Sequence, residues 1–367
     1  MTGELMSAEM AEQPDVLARV TARAPADAEA VRAVVPDPLA GVVFLARGSS
    51  DNAAVFGRYL AELRAGRPAG LAAPSLYTRY HATVDWRGYL VVALSQSGAT
   101  PEIISTCRAM RAGGAVVLGI TNEPESPLGD AVDLLLSTDA GRERAVPATK
   151  TVTAQLAVLV TVTSALRAGA AAGTAGAAGG AGAAGTAGAT GGAGAAGTAG
   201  AAGGAADGGA LDGLPSAVAG VLGDPGPVER LADRWRALDR LVVAGRGLAY
   251  AAALETALKV KETTGILAEG ISTADLLHGP IAAVYAGAPV LLVDGGGPAD
   301  TDLDELRALL GSRRAQAASL PVPPGLPEAV HVIAAITRGQ QLARELARAR
   351  HVNPDAPAHL SKVTATT

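Results

Sequence analysis

The chain has 367 residues, 49% of them hydrophobic, enough to fill more than one ordinary core, so two lobes are expected. Its 30 Lys and Arg against 35 Asp and Glu give a formal charge of -5, which argues against a surface built to neutralise nucleic-acid phosphates and for a small-molecule partner. Cys107 is the one cysteine, which excludes a disulfide within the chain and a cysteine cluster for zinc or iron-sulfur, and fits a reducing compartment.

The opening Met1-Thr2-Gly3-Glu4-Leu5-Met6 has neither the basic start nor the continuous apolar stretch of a secretory signal, so a cytoplasmic protein without membrane association is expected. Short apolar runs then alternate with helical patterns. Residues 41–46 end at Arg47-Gly48-Ser49-Ser50 and precede an amphipathic segment from Asn52 to Leu63. Residues 90–94 end at Ser95, after which Pro101 suits a helix's first turn, and residues 115–120 and 132–136 complete the half. Apolar strands alternating with helices predict an α/β fold whose parallel sheet is covered on both faces.

Residues 168–210 consist almost wholly of Ala, Gly and Thr in a loose Gly-Thr-Ala-Gly-Ala-Ala-Gly-Gly repeat. Ordering such a coil costs much entropy and buries little, so a flexible insertion is expected between a first lobe, 1–167, and a second, 211–367. Glycine's flexibility and weak apolarity make the tract a poor membrane span. Beyond it the plan repeats: residues 241–244 end at Gly245-Arg246-Gly247, and residues 288–293 end at Asp294-Gly295-Gly296. The first half offers hydroxyls at its strand end where the second offers an aspartate, which repels phosphate. One anion site per chain is therefore expected.

That site is predicted at Ser95-Gln96-Ser97-Gly98-Ala99-Thr100. A loop between a parallel strand and a helix presents unpaired N–H groups and the positive helix end to a dianion, and the hydroxyls of Ser95, Ser97 and Thr100 add donors. The same residue types also serve as helix caps, and this loop alone does not decide between the two. Ser49 and Ser50 can approach from the neighbouring loop. No Gly-Lys-Ser/Thr follows at Walker spacing, so ATP is not the expected ligand.

In the segment from Leu254 to Glu262, the charged residues Glu255, Lys259 and Glu262 stand at i, i+4 and i+7 and share one helix face. The spacing alone favours a solvated salt-bridge stripe, and the neighbourhood weighs against it. Downstream, Leu277-His278-Gly279-Pro280 places His278 in a turn that can present its ring to a ligand. A carboxylate and an imidazole near a sugar phosphate suit ring opening and proton transfer between neighbouring carbons.

Together these motifs, with Ala148-Thr149-Lys150 and the tail from Val352-Asn353-Pro354-Asp355 to Leu360-Ser361-Lys362-Val363-Thr364, resemble the double sugar-isomerase (SIS) domain proteins over nearly the whole chain. Similarity is greatest to the SIS-type glucosamine-6-phosphate deaminases and the isomerase half of glutamine:fructose-6-phosphate amidotransferase. The resemblance implies two tandem doubly wound, flavodoxin-like lobes, each a three-layer α/β/α sandwich. It implies that Ser50, Ser95, Gln96, Ser97 and Thr100 hold the phosphate, with the backbone of Val146 and Ala148 lining the sugar. Glu262 would move a proton between C2 and C1, and His278 would assist ring opening from the partner subunit of a homodimer. Glu255, Lys259 and Lys362 would surround the sugar.

No metal or other cofactor is implied. The sequence departs from the amidotransferase in having Thr2 after the initiator methionine and no glutaminase domain, so deamination of glucosamine 6-phosphate to fructose 6-phosphate and ammonia is the expected reaction. Rival readings are a deaminase or deglycase acting on a galactosamine or fructosamine 6-phosphate, and a non-catalytic sugar-phosphate sensor. Smaller departures are Ala46, where relatives often carry glycine, and Val146-Pro147-Ala148, which lacks a serine sometimes found there.

Overall fold

Strands β1 (Gly41–Leu45), β2 (Ala69–Leu71), β3 (Tyr89–Leu94), β4 (Val116–Thr121) and β5 (Leu134–Ser137) form one all-parallel sheet in the order β2-β1-β3-β4-β5. The computed structural model describes residues 3–174, 209–357 and 360–362. A second parallel sheet, in the order β7-β6-β8-β9, comprises β6 (Arg240–Gly245), β7 (Leu267–Ser272), β8 (Pro289–Val293) and β9 (Gln316–Ser319). The second order repeats the first without its fifth strand, so the expected duplication is present.

Side-chain alternation along the central strands explains the layering. Val42 and Phe44 of β1, with Leu90, Val92 and Leu94 of β3, face a core built by α2 (Gln13–Val34), α3 (Ser49–Ala65) and α6 (Lys150–Thr174). Val43, Leu45, Val91 and Ala93 point the other way, against Ile103, Cys107 and Met110 of α5 (Pro101–Ala112). The period of two thus buries both faces, as a parallel sheet requires. Burial there pushes the Cys107 thiol up to about 12, so it is an inert core residue.

The lobes share one continuous core. It includes Leu241, Val243, Leu291 and Val293 of the second sheet together with α9 (Ala249–Thr264) and α12 (Glu328–Ala349). The close approach of α9 to α12 depends on Gly339, where a Cβ would stand 2.1 Å from Thr256 Oγ1. The outer face of the second sheet packs Ala244, Val290 and Leu292 against Leu303, Leu306 and Leu310 of α11 (Thr301–Ser312).

Two expectations change in detail. Helix α3 begins at Ser49 rather than near Asn52, so Ser49 and Ser50 belong to its first turn. Residues 267–277 hold β7 and a short helix, α10 (Thr273–Leu277). The predicted insertion 168–210 lies mostly outside the described residues, and α6 runs into its first residues, to Thr174. Among the described residues, no helix is long and apolar enough to cross a membrane.

Candidate active site

The strand order of the first sheet reverses between β1 and β3, which are neighbours although β2 intervenes in sequence. Loops leaving the carboxyl ends of such a pair diverge and leave a crevice. Here those loops are Arg47-Gly48 leading into α3 and Ser95 to Thr100 leading into α5. They line a cavity of about 360 Å³, with Arg47, Ser49 and Ser50 on one side and Ser95, Gln96, Ser97 and Thr100 on the other.

The loop's hydrogen bonds settle the capping question. Thr100 is the N-cap residue of α5, yet its side chain makes no capping bond. Ser95 Oγ accepts from Gly98 N at 3.1 Å and Ser97 Oγ accepts from Ala99 N at 3.3 Å, so these oxygens fold the loop on itself while each O–H remains a donor. The amides of Gln96, Ser97 and Thr100 make no hydrogen bond within the described residues. Gly98 adopts φ +58°, and a Cβ there would lie 1.9 Å from Ser126 Oγ, so both conformation and space demand glycine. In the second lobe the corresponding turn is filled by its own acid: Gly295 N and Gly297 N donate to Asp300 at 2.8 and 3.2 Å. Asp294 there pairs with His331.

Helix α9 delivers the charged cluster from the second lobe. Lys259 and Glu262 line the same cavity, while Glu255 lies behind them rather than on its wall. Lys259 and Glu255 side chains are each 1% exposed, 3.6 Å apart, and Lys259 Nζ also bonds Glu262. This is a buried cluster, not a solvated stripe. Burial raises the Glu255 carboxyl despite Lys259 nearby, and its Oε2 accepts from Asn52 Nδ2 at 2.7 Å. For Lys259, burial alone would lower the ammonium, but Glu255 and Glu262 more than offset it and push it up, so it stays charged.

The C-terminal tail lines the cavity through Leu360, Ser361 and Lys362, as do Val146 and Ala148. Its route is fixed by two anchors. Asp355 accepts from Leu5 N and Met6 N at 3.1 and 2.8 Å, capping α1 (Glu4–Ala11), and its carbonyl accepts from Val146 N at 3.1 Å. Lys362 Nζ donates to Glu143 Oε2 at 2.8 Å. Glu143 is fully buried and also accepts from Thr149 N, Thr151 N and Thr151 Oγ1 at the start of α6. Burial alone would raise its carboxyl, but Lys362 and these bonds hold it below the ordinary value.

Of the residues anticipated from sequence, Ser49, Ser50, Ser95, Gln96, Ser97, Thr100, Val146, Ala148, Lys259, Glu262 and Lys362 meet at this one cavity, with Glu255 behind it. His278 does not: it is exposed at the end of α10 and absent from the cavity wall of this chain. Sequence reasoning missed Glu143, which stands between Arg142 and Arg144 and reads as one more surface charge, and Asn52. Only proximity to Ala148-Thr149-Lys150 marked Glu143. Among the described residues, no cluster of His, Cys, Asp and Glu has the arrangement of a metal site.

Comparison with known proteins gives the same outline. Residues 41–165 and 236–320 match the family model for the SIS domain. The glutamine–fructose-6-phosphate aminotransferase (isomerizing) of Aeropyrum pernix is 31% identical over 379 residues, covering 97% of this chain and 56% of that protein. The chain spans about half the length, or less, of the curated relatives it matches. Among solved structures, a protein of Silicibacter pomeroyi DSS-3 described as a phosphosugar isomerase superposes with TM-score 0.78 at 27% identity, covering 97% of this chain and all of that one. The glucosamine-6-phosphate deaminase of Thermotoga maritima superposes with TM-score 0.64 at 20% identity, covering 96% and 99%, a likeness of fold.

Proposed function

The chain belongs to the SIS domain family, and from that premise we propose that it converts glucosamine 6-phosphate and water to fructose 6-phosphate and ammonia. The observation that carries this reading is the junction of a hydroxyl-rich anion loop from one lobe with Glu262 and Lys259 from the other in one cavity sized for a sugar phosphate. The Ser95 to Thr100 loop and the Ser49-Ser50 turn hold the phosphate. Ring opening frees the C1 aldehyde, with His278 of the partner subunit as the acid in a homodimer.

Glu262 then removes the C2 proton, giving a C1–C2 enolamine, and returns a proton to C1 to leave an imine at C2. Water adds to the imine carbon and ammonia departs, leaving the C2 ketone. Lys259 bonds Glu262 and so fixes the carboxylate's direction, and the Lys362 ammonium, held by Glu143, offers positive charge to the oxygen that becomes negative as C2 loses its proton. The test is incubation of purified protein with glucosamine 6-phosphate, scored for ammonia and ketose phosphate. Equimolar release of both is expected. Tight binding without turnover would leave a sensor in place of an enzyme.

A further inference from the structure

Among the described residues, the cavity assigned to a phosphate dianion has no uncommitted positive charge. Three described cations line it, Arg47, Lys259 and Lys362. Lys259 is bound between Glu255 and Glu262, and Lys362 to Glu143. Arg47 is bound to Glu102 through Nε and Nη2, each at 3.0 Å. A ligand with two negative charges placed among these pairs gains little unless one cation changes partner.

Arg47 is the one placed to do so. Its side chain is 43% exposed, against 1% for Lys259 and 21% for Lys362. It leaves the carboxyl end of β1 beside Ser49 and Ser50, on the cavity wall. Glu102 is not on that wall; it occupies the first turn of α5 and faces the neighbouring cavity. Left without Arg47, Glu102 would still be favoured by the positive end of its helix. The pair therefore bridges from beside the phosphate loop to the loop's own helix, and a guanidinium can turn from one carboxylate to a phosphate with the same planar fork.

The second lobe supplies an internal control. Arg246, leaving β6 as Arg47 leaves β1, pairs with Asp302 in the first turn of α11. There the strand-end loop is occupied by Asp300, and no hydroxyls face an anion. The arginine-acid latch is thus common to both lobes, and only the first combines it with an open anion loop.

Building on the sugar-phosphate reading of the cavity, we propose that Arg47 is the phosphate's charge partner: on binding, its guanidinium leaves Glu102 for the phosphate oxygens. Titration calorimetry with fructose 6-phosphate and with inorganic phosphate, at pH 5 and pH 8, tests it on wild type, Arg47→Met, Arg47→Lys, Glu102→Gln and Arg246→Met.

At pH 8, where the sugar phosphate is a dianion, Arg47→Met should weaken binding by about tenfold or more, the scale of a charge-assisted hydrogen bond. The loss should be smaller at pH 5, where the ligand is mostly a monoanion, since its second ionisation lies near ~6. Arg47→Lys should recover part of the affinity, Glu102→Gln should tighten binding by releasing Arg47, and Arg246→Met should match wild type. Unchanged affinity in Arg47→Met, an equal loss in Arg246→Met, or a loss independent of the ligand's charge would overturn the role of Arg47 while leaving the cavity's assignment intact. If Arg47→Met does not fold, weaker binding by Glu102→Gln overturns the proposal and tighter binding supports it. Failure of wild type to bind either ligand would overturn both the proposal and the reading beneath it.

Discussion

Replacing Glu143 by Gln removes a charge without changing shape, and the hydrogen bonds around the carboxylate set the cost. One carboxylate oxygen accepts from Lys362 Nζ and Thr151 Oγ1, the other from Thr149 N and Thr151 N. An amide can satisfy one of these two sets and must aim its NH2 at donors in the other. The loss of a charge-assisted bond costs about 1.5–3 kcal/mol. Because Lys362 can recover part of its solvation by turning to water, the lower end, about 1.5 kcal/mol or roughly tenfold, is expected. The tail should then leave the cavity, kcat/KM for the amino-sugar phosphate should fall about tenfold or more, and trypsin should cut faster after Lys362.

The acid side carries a second signature of the same pair. The folded-state pKa of Glu143 lies below 4.5. The ion pair's stabilisation is therefore fully present above that value and is lost as pH falls towards the depressed folded pKa. Urea unfolding from pH 6 to pH 3 should show this acid-side loss in wild type and less of it in Glu143→Gln. A variant with wild-type kinetics, protease resistance and acid profile would refute the anchoring role of Glu143.

Glu262→Gln keeps a bond to Lys259 but cannot take a proton, so turnover should fall by about 10² to 10⁴-fold while fructose 6-phosphate still binds, as calorimetry would show. Lys259→Met strands Glu255 without its cation, a loss of about 3–5 kcal/mol at neutral pH in urea unfolding. That deficit should shrink on acidification, because burial already raises the Glu255 carboxyl and its protonated form needs no counter-ion. Gly98→Ala forces a methyl 1.9 Å from Ser126 Oγ at φ +58°. It should cost about 2 kcal/mol and displace the loop, weakening phosphate binding in the same titration.

The central strands were legible because they are buried on both faces: β1, β3, β4, β6 and β8 are continuous apolar runs. Of the edge strands, β5 was read from residues 132–136, but β2, β7 and β9 were not. Leu267–Ser272 and Gln316–Ser319 are largely open to solvent and mix Glu, Gly, Gln and Ser with small apolar residues, so they read as loops until a neighbour's backbone pairs with them.

At the site, the hydroxyl loop and the i, i+4, i+7 charges were visible as local patterns, and the strand order explains why the two serine-bearing loops converge. The meaning of the charges was not local: Lys259 and Glu255 are buried where α9 meets the first lobe, with Glu255 accepting from Asn52 of α3. Glu143 was illegible for the same reason, since its importance comes from Lys362, 219 residues away. His278 exposes the limit of one chain, as its proposed role needs a second copy.

The most direct measurement is a crystal structure of the Glu262→Gln variant with fructose 6-phosphate. The phosphate should lie against the amides and hydroxyls of Ser95 to Thr100 and Ser49-Ser50, with C1 and C2 within hydrogen-bond reach of residue 262 and Lys362 still on Glu143. A phosphate bound elsewhere, or a sugar turned so that C1 and C2 face away from α9, would contradict the account.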